Sequence, residues 1–385
     1  MKITSDTQYI KGILSRMVRI DSRNPNLTPD GPGEEEIAAC LVELLTDLGL
    51  QVFTYPLAPR RVNVVGILPG QGLGRSLMLN GHMDTVGVSG MKDPFSGTIR
   101  EGRLYGRGSQ DMKGSLAAML GAVKVLIDSN IQLEGDLIFA AVADEEDQSL
   151  GTMDLIKHHT ADAAVVTEPT NLKLVLAHRG LAWYEVETLG KAAHGSRYQE
   201  GIDAITHMGR FLAKLDLLAQ DLLERKPHPL AGPPSLHAAL IQGGTDNCTY
   251  AAHCKVNIDR RTIPGETEDQ VARELQQIID DLKKMDPSFQ AKVRPLIVRE
   301  PLGTSSDTEI ARVLSRAFTK QAGEEPIISG AGYWSDAALL AEAGMDAVLL
   351  GPMGKGLHST EEWVDLESVY TLSRVLAETA ALFCS

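Results

Sequence analysis

Cysteine is scarce. Cys40, Cys248, Cys254 and Cys384 are scattered through 385 residues with no Cys-x-x-Cys pair. That pattern supports neither a disulfide framework nor a thiolate zinc site, and reads as free thiols in a reducing compartment. Basic residues are outnumbered, 37 Lys and Arg against 51 Asp and Glu, for a formal net charge of −14. Nucleic acid, which is gripped through basic patches, is therefore excluded as a partner. Long apolar runs are missing as well. The opening Met1-Lys2-Ile3-Thr4-Ser5-Asp6 has no stretch of signal-peptide length, and no later segment is long enough to span a bilayer. The expectation is a cytoplasmic protein with no membrane partner. Pro69-Gly70-Gln71-Gly72-Leu73-Gly74 superficially suggests a dinucleotide loop, but its spacing is wrong, and it reads as a turn.

What is present suits a globular protein of two domains. Ile10, Ile13, Leu14, Met17 and Val18 recur at helical spacing, as do Ile37, Leu41, Leu44, Leu45 and Leu48, with Gly49 as a stop. Glu34-Glu35-Glu36 opens the second of these helices and suits the positive end of its dipole. Apolar runs at 62–68, 77–79, 137–142 and 163–166 read as buried strands, and a helix covers about 114–127. This alternation predicts an α/β catalytic domain with a mixed, mostly parallel sheet flanked by helices. The texture changes near Ala177. Alternating strands at 183–188, 236–242 and 253–259, with helices over 202–223 and 268–282, predict an inserted α+β domain. The expected division is 1–177 with 298–385 for the catalytic domain and 178–297 for the insert.

Six residues carry the chemistry: His82, Asp111, Glu145, Glu146, Glu168 and His358. Two imidazoles and three carboxylates suit a pair of divalent metals, and one carboxylate, Glu145, is left over to handle a proton. His82 follows a strand and has Asp84 two residues on, a candidate acceptor for the ring's other N–H. A purely structural His–Asp pair reads equally well there. Asp111 lies in a glycine-dense loop before a helix, where its two oxygens could bridge two ions; the bland alternative is a helix N-cap. Glu145 and Glu146 follow the strand at 137–142, and adjacent extended residues point to opposite sides. Such pairs are usually solvated surface, but α/β sites cluster at strand C-terminal ends. Glu168 repeats this logic, and His358 sits in a glycine-rich loop.

Gly81-His82-Met83-Asp84-Thr85, Gly102 through Gly108, Asp111-Met112-Lys113-Gly114, Glu145-Glu146, Glu168-Pro169 and the His358 loop together resemble the M20 metallopeptidases and deacylases. That family includes acetylornithine deacetylase and succinyl-diaminopimelate desuccinylase, and the likeness runs through nearly the whole chain. The resemblance implies that His82, Asp111 and Glu168 hold one metal, and Asp111, Glu146 and His358 the other. Zinc is the first expectation, with cobalt or manganese as substitutes. It further implies a general base and acid in Glu145, an orienting role for Asp84 on His82, and a cis Asp111–Met112 peptide. Within the insert, His194 in Lys191-Ala192-Ala193-His194-Gly195 resembles a lid histidine that reaches a partner subunit's site. Asn247 and Arg260 match positions that bind the substrate carboxylate, a group the guanidinium fork suits; an ordinary surface salt bridge is the alternative for Arg260. Thr167 stands where the family often has Gly, and Asn80 precedes Gly81.

The expected reaction is hydrolysis of an N-acetyl or N-succinyl amino acid by a homodimer paired through the insert. Within the family the chain resembles, Glu rather than Asp at 168 implies deacylases and carboxypeptidases over aminopeptidases. A carboxypeptidase or dipeptidase is the alternative within the family, and a silent binding or scaffold homologue the alternative outside it. All six positions are filled, which argues against the last.

Overall fold

The computed structural model describes residues 3–385. Helix Thr7–Val18 buries Ile10, Ile13, Leu14, Met17 and Val18, the stripe anticipated from their spacing. Helix Glu35–Asp47 buries Ile37, Leu41, Leu44 and Leu45 and ends before Gly49, whose φ of +82° is left-handed and favours glycine. Each buried Leu or Ile contributes about 1.5–3 kcal/mol. The chain forms two compact units. The first comprises the residues up to Leu176, Thr304–Ser329 and Ser335–Ser385; the second comprises Ala177–Gly303 and Gly330–Trp334.

The first unit is built on a mixed sheet. Its strands run Gln51–Ala58, Arg61–Leu68, Leu137–Val142, Leu77–His82, Ala163–Val166, Asp346–Leu349, with Leu174–His178 beside the last. The four strands from Leu137–Val142 to Asp346–Leu349 are parallel, and their outer neighbours are antiparallel. Three of those central strands are buried at every residue, as uninterrupted apolar runs such as Leu137-Ile138-Phe139-Ala140-Ala141-Val142 require. Helices flank the sheet. Gly114–Asp128 packs against Leu366–Phe383, which also packs against Glu309–Ala322. Gly114–Asp128 is apolar almost all round and correspondingly buried. Because the central strands are parallel, their C-terminal ends, His82, Val142 and Val166, deliver the following loops to one edge of the sheet.

The second unit is a four-stranded antiparallel sheet in the order Ser235–Gly243, His253–Arg261, Leu181–Leu189, Gln290–Arg299. Helices Ala204–Glu224 and Glu268–Met285 supply Phe211, Leu215, Leu275 and Ile279 to a core shared with Tyr184, Val186, Val256 and Ile258. Strand Gln290–Arg299 was not anticipated, since Pro295 and the charged residues Lys292, Arg294 and Arg299 weaken its apolar signal. It pairs from Gln290 opposite Leu189 to Arg299 opposite Leu181. A division at 297 would cut that ladder, so this unit continues to Gly303, and it also takes in Gly330–Trp334. Among the described residues, no helix is long and apolar enough to cross a membrane.

Asp365 caps helix Leu366–Phe383 by accepting the Ser368 amide at 2.8 Å. Asp365→Ala is expected to lower the unfolding free energy by about 1 kcal/mol, read by urea denaturation under circular dichroism. A change within a few tenths would mean that the cap contributes nothing.

Candidate active site

His82, Asp111, Glu145, Glu146, Glu168 and His358 all belong to the first unit, and they converge. His82 closes the strand Leu77–His82; Glu145 and Glu146 follow Leu137–Val142; Glu168 follows Ala163–Val166. Asp111 reaches the cluster from the Gly106–Lys113 loop, which includes a cis Asp111–Met112 peptide, and His358 from the loop before the final helix. The two oxygens of Asp111 face different imidazoles. Oδ1 lies 3.0 Å from His82 Nε2 and Oδ2 lies 3.4 Å from His358 Nε2. His82 Nε2 is also 3.8 Å from Glu168 and 4.0 Å from Glu145, while His358 Nε2 is 3.1 Å from Glu146. Ligand atoms of His82, Glu145 and Glu168, and of His82, Asp111 and Glu146, each lie within 4.8 Å of one another, close enough to share an ion.

The electrostatics of these groups are those of a cation site. Burial pushes Glu145 well above the usual carboxylate range, with Glu168 adding to the effect. Burial likewise takes Glu168 to about 8 and raises Glu146, where Asp111 contributes next. Burial disfavours the charged forms of His82 and Asp111 too, but hydrogen bonds win there. His82 is held well above its ordinary value by Asp111 and Glu168, and Asp111 is lowered by His358 and His82. His358 rises to about 10 beside Asp111 and Glu146. Divalent cations would supply positive charge to this cluster, and the donors fit: imidazole nitrogens and carboxylate oxygens suit zinc, cobalt or manganese, with no thiolate in the set.

Asp84 differs from expectation. His82 Nδ1 donates to the backbone carbonyl of Asp84 at 2.9 Å, whereas the Asp84 carboxylate is 3.6 Å away. That carboxylate instead accepts the amides of Glu145 at 3.1 Å and Glu146 at 3.2 Å. Behind it runs a buried network that gave no signal in the sequence. Asn24 Nδ2 lies 2.8 Å from Asp84 and 2.9 Å from Asp144; Arg61 reaches Asp144 at 2.6 Å and Glu34 at 2.8 Å. Glu34 does precede the helix Glu35–Asp47, as its acidic run suggested, and is also a buried ion-pair partner of Arg61. Asp144 has a φ of +68°, an unfavourable left-handed conformation for a side chain with a Cβ, and the network holds it there. Asp336, also buried, accepts from Thr152 and adds negative charge near Glu145 and Glu168.

His194, Asn247 and Arg260 belong to the second unit. His194 is exposed, and its Nδ1 accepts from the Ser196 amide at 3.2 Å. Asn247 is exposed. Arg260 is not. It is fully buried, with its guanidinium bonded to Glu266 at 2.5 Å and to the Arg261 carbonyl at 2.7 Å. Successive strand residues face opposite ways, and Arg261, held to Asp259, is partly exposed.

The fold and the convergent donor set define a metallohydrolase of the α/β class. The description "Peptidase family M20/M25/M40" matches residues 78–382, and the chain belongs to that family. It is a hydrolase acting on amide bonds, in a family whose substrates are acylated amino acids or peptides. It is 32% identical to the acetylornithine deacetylase of Myxococcus xanthus, over 99% of each chain. It is 28% identical to the N-formyl-4-amino-5-aminomethyl-2-methylpyrimidine deformylase of Bacillus subtilis, over 93% of this chain and 91% of the other. Its fold matches that of aminopeptidase PepT from Bacillus cereus, with a TM-score of 0.81 and 22% identity, over 99% and 100% of the two chains.

Removing Arg61 leaves Glu34 and Asp144 buried without their counter-charge. Arg61→Met is expected to cost about 3–5 kcal/mol of stability in urea unfolding. A loss below about 1 kcal/mol, the range of a surface ion pair, would contradict this account of the network.

Proposed function

We propose that this chain releases an amino acid from an N-acyl amino acid of the acetyl or succinyl type. The observation that carries the reading is Asp111, with one oxygen towards each imidazole and Glu145 close by. Similarity over 99% of both chains to an acetylornithine deacetylase favours acyl amino acids as the substrate class. Two divalent ions, zinc first among candidates, would be held by His82, Asp111 and Glu168 and by Asp111, Glu146 and His358, supplying Lewis acidity and easing water deprotonation near neutral pH.

The chain's own groups then divide the work. Glu145, whose proton affinity burial raises, takes a proton from the attacking water and delivers it to the departing amine nitrogen. Asp84 holds the Glu145–Glu146 backbone through its carboxylate and His82 through its carbonyl. His194 stabilises the carbonyl oxygen as negative charge develops, acting in the site of a second subunit. Asn247 and Arg261 take the substrate carboxylate, Arg261 in the place first expected of Arg260.

Pairing of subunits is supported by an edge. Strand Ser235–Gly243 ends the second unit's sheet and exposes Leu240 and Ile241, 69% and 59% accessible. An unpaired, apolar strand edge is a ready template for a second copy. Sedimentation is expected to give a dimer that Leu240→Lys with Ile241→Glu converts to monomer; a monomeric wild type would remove the role of His194 in a partner's site.

Glu145→Gln is expected to lower turnover by about 10²–10⁴-fold with metal content unchanged. Retained activity would take Glu145 out of this role. Substrate class is tested by ninhydrin detection of amino acids freed from N-acetyl, N-succinyl and N-carbamoyl amino acids and dipeptides, with and without added zinc, manganese or cobalt. Metal-dependent cleavage of one acyl class supports the proposal. Cleavage confined to dipeptides would replace it with the peptidase reading.

A further inference from the structure

Glu362 has no part in the reaction described above, yet it is among the most heavily bonded carboxylates in the first unit. It lies four residues beyond His358, and its side chain is inaccessible to solvent. Four donors converge on it. The backbone amides of Gly108 at 3.1 Å, Gln110 at 2.8 Å and Asp111 at 3.1 Å all donate, and Arg107 Nη1 donates at 2.5 Å. Gly108, at a φ of +78°, provides a left-handed turn in the loop whose amides converge there, a concave nest of N–H groups around one anion. Asp111, whose side chain stands between the two imidazoles, is thus anchored through its own backbone N–H.

Arg107 extends the anchor to two other segments. Its Nε donates to the Gly87 carbonyl at 3.0 Å and its Nη2 to the Ser359 carbonyl at 2.9 Å. Gly87 lies five residues after His82 and three after Asp84. Ser359 follows His358, a non-glycine residue at a φ of +57°, and fixing the next carbonyl helps define that turn. One buried ion pair therefore touches the three segments that carry His82, Asp111 and His358. A planar five-donor guanidinium can make such divergent bonds; an ammonium on a flexible stem cannot reproduce them.

We propose that the Glu362–Arg107 pair is a positioning device for the metal centre, setting where the Asp111 carboxylate and the His358 imidazole meet. The proposal rests on the two-metal reading above. Neither residue needs to touch substrate or ion. Groups that orient metal ligands from behind usually change metal affinity about 10–100-fold when altered, and that is the effect expected here.

The test is titration of chelator-stripped protein with cobalt(II), following binding stoichiometry, affinity and the visible ligand-field spectrum. Wild type, Glu362→Gln and Arg107→Lys are compared, with circular dichroism of the metal-free proteins as the control for folding. Glu362→Gln turns an amide NH₂ group on to donors and is expected to weaken at least one ion about 10–100-fold and to alter the spectrum. Arg107→Lys keeps the charge and the Glu362 nest but loses the fork. It carries the test if Glu362→Gln does not fold, and a weakened ion is again expected. Folded variants that melt at lower temperature yet match wild type in affinity and spectrum would show a merely structural pair and overturn the proposal. Wild type that takes up no cobalt would instead remove the two-metal reading, and this proposal with it.

Discussion

Four carboxylates and two imidazoles are packed into one mostly buried space at the end of a parallel sheet. Asp111, Glu146 and His358 crowd one side, His82, Glu145 and Glu168 the other, with Asp111 between the imidazoles. Like charges this close, and this poorly hydrated, do not all remain ionised without compensating positive charge. Burial first, and neighbouring carboxylates after it, raise Glu145, Glu146 and Glu168, while hydrogen bonds to Asp111 and its neighbours raise both histidines. The surrounding structure answers to this crowding. Arg61 and Arg107 are each buried against carboxylates next to the cluster, and each steadies a loop that delivers a member of it.

The architecture makes this concentration possible. Fully buried parallel strands end together, so short loops after His82, Val142 and Val166 reach the same place without long excursions. Rigid, apolar strands beneath, and the almost wholly buried helix Gly114–Asp128 behind the Asp111 loop, hold the donors in place. Metal binding would then exploit a geometry that folding has already established, which is what a site built for repeated turnover requires.

Much of this was legible in the sequence. Periodicity picked out the buried stripes of the helices Thr7–Val18 and Glu35–Asp47, because those stripes are unbroken. The six candidate site residues were legible because each ends a strand or sits in a distinctive glycine-rich context. What stayed hidden depends on three-dimensional contacts that leave no local pattern. Asn24 and Arg61 lie far along the chain from Asp144, and nothing in their neighbourhoods marks them. Arg260, expected from the resemblance to meet the substrate carboxylate, is buried; a sequence does not show which of two adjacent strand residues faces inwards. Strand Gln290–Arg299 escaped because an edge position tolerates Pro295 and charge, which erases the alternation that identifies inner strands.

The most direct measurement is anomalous diffraction at the zinc edge from crystals of this protein grown with zinc. The account predicts two peaks, one among His82, Asp111 and Glu168 and one among Asp111, Glu146 and His358. A cluster with no peak, with any zinc confined to surface groups, would contradict it.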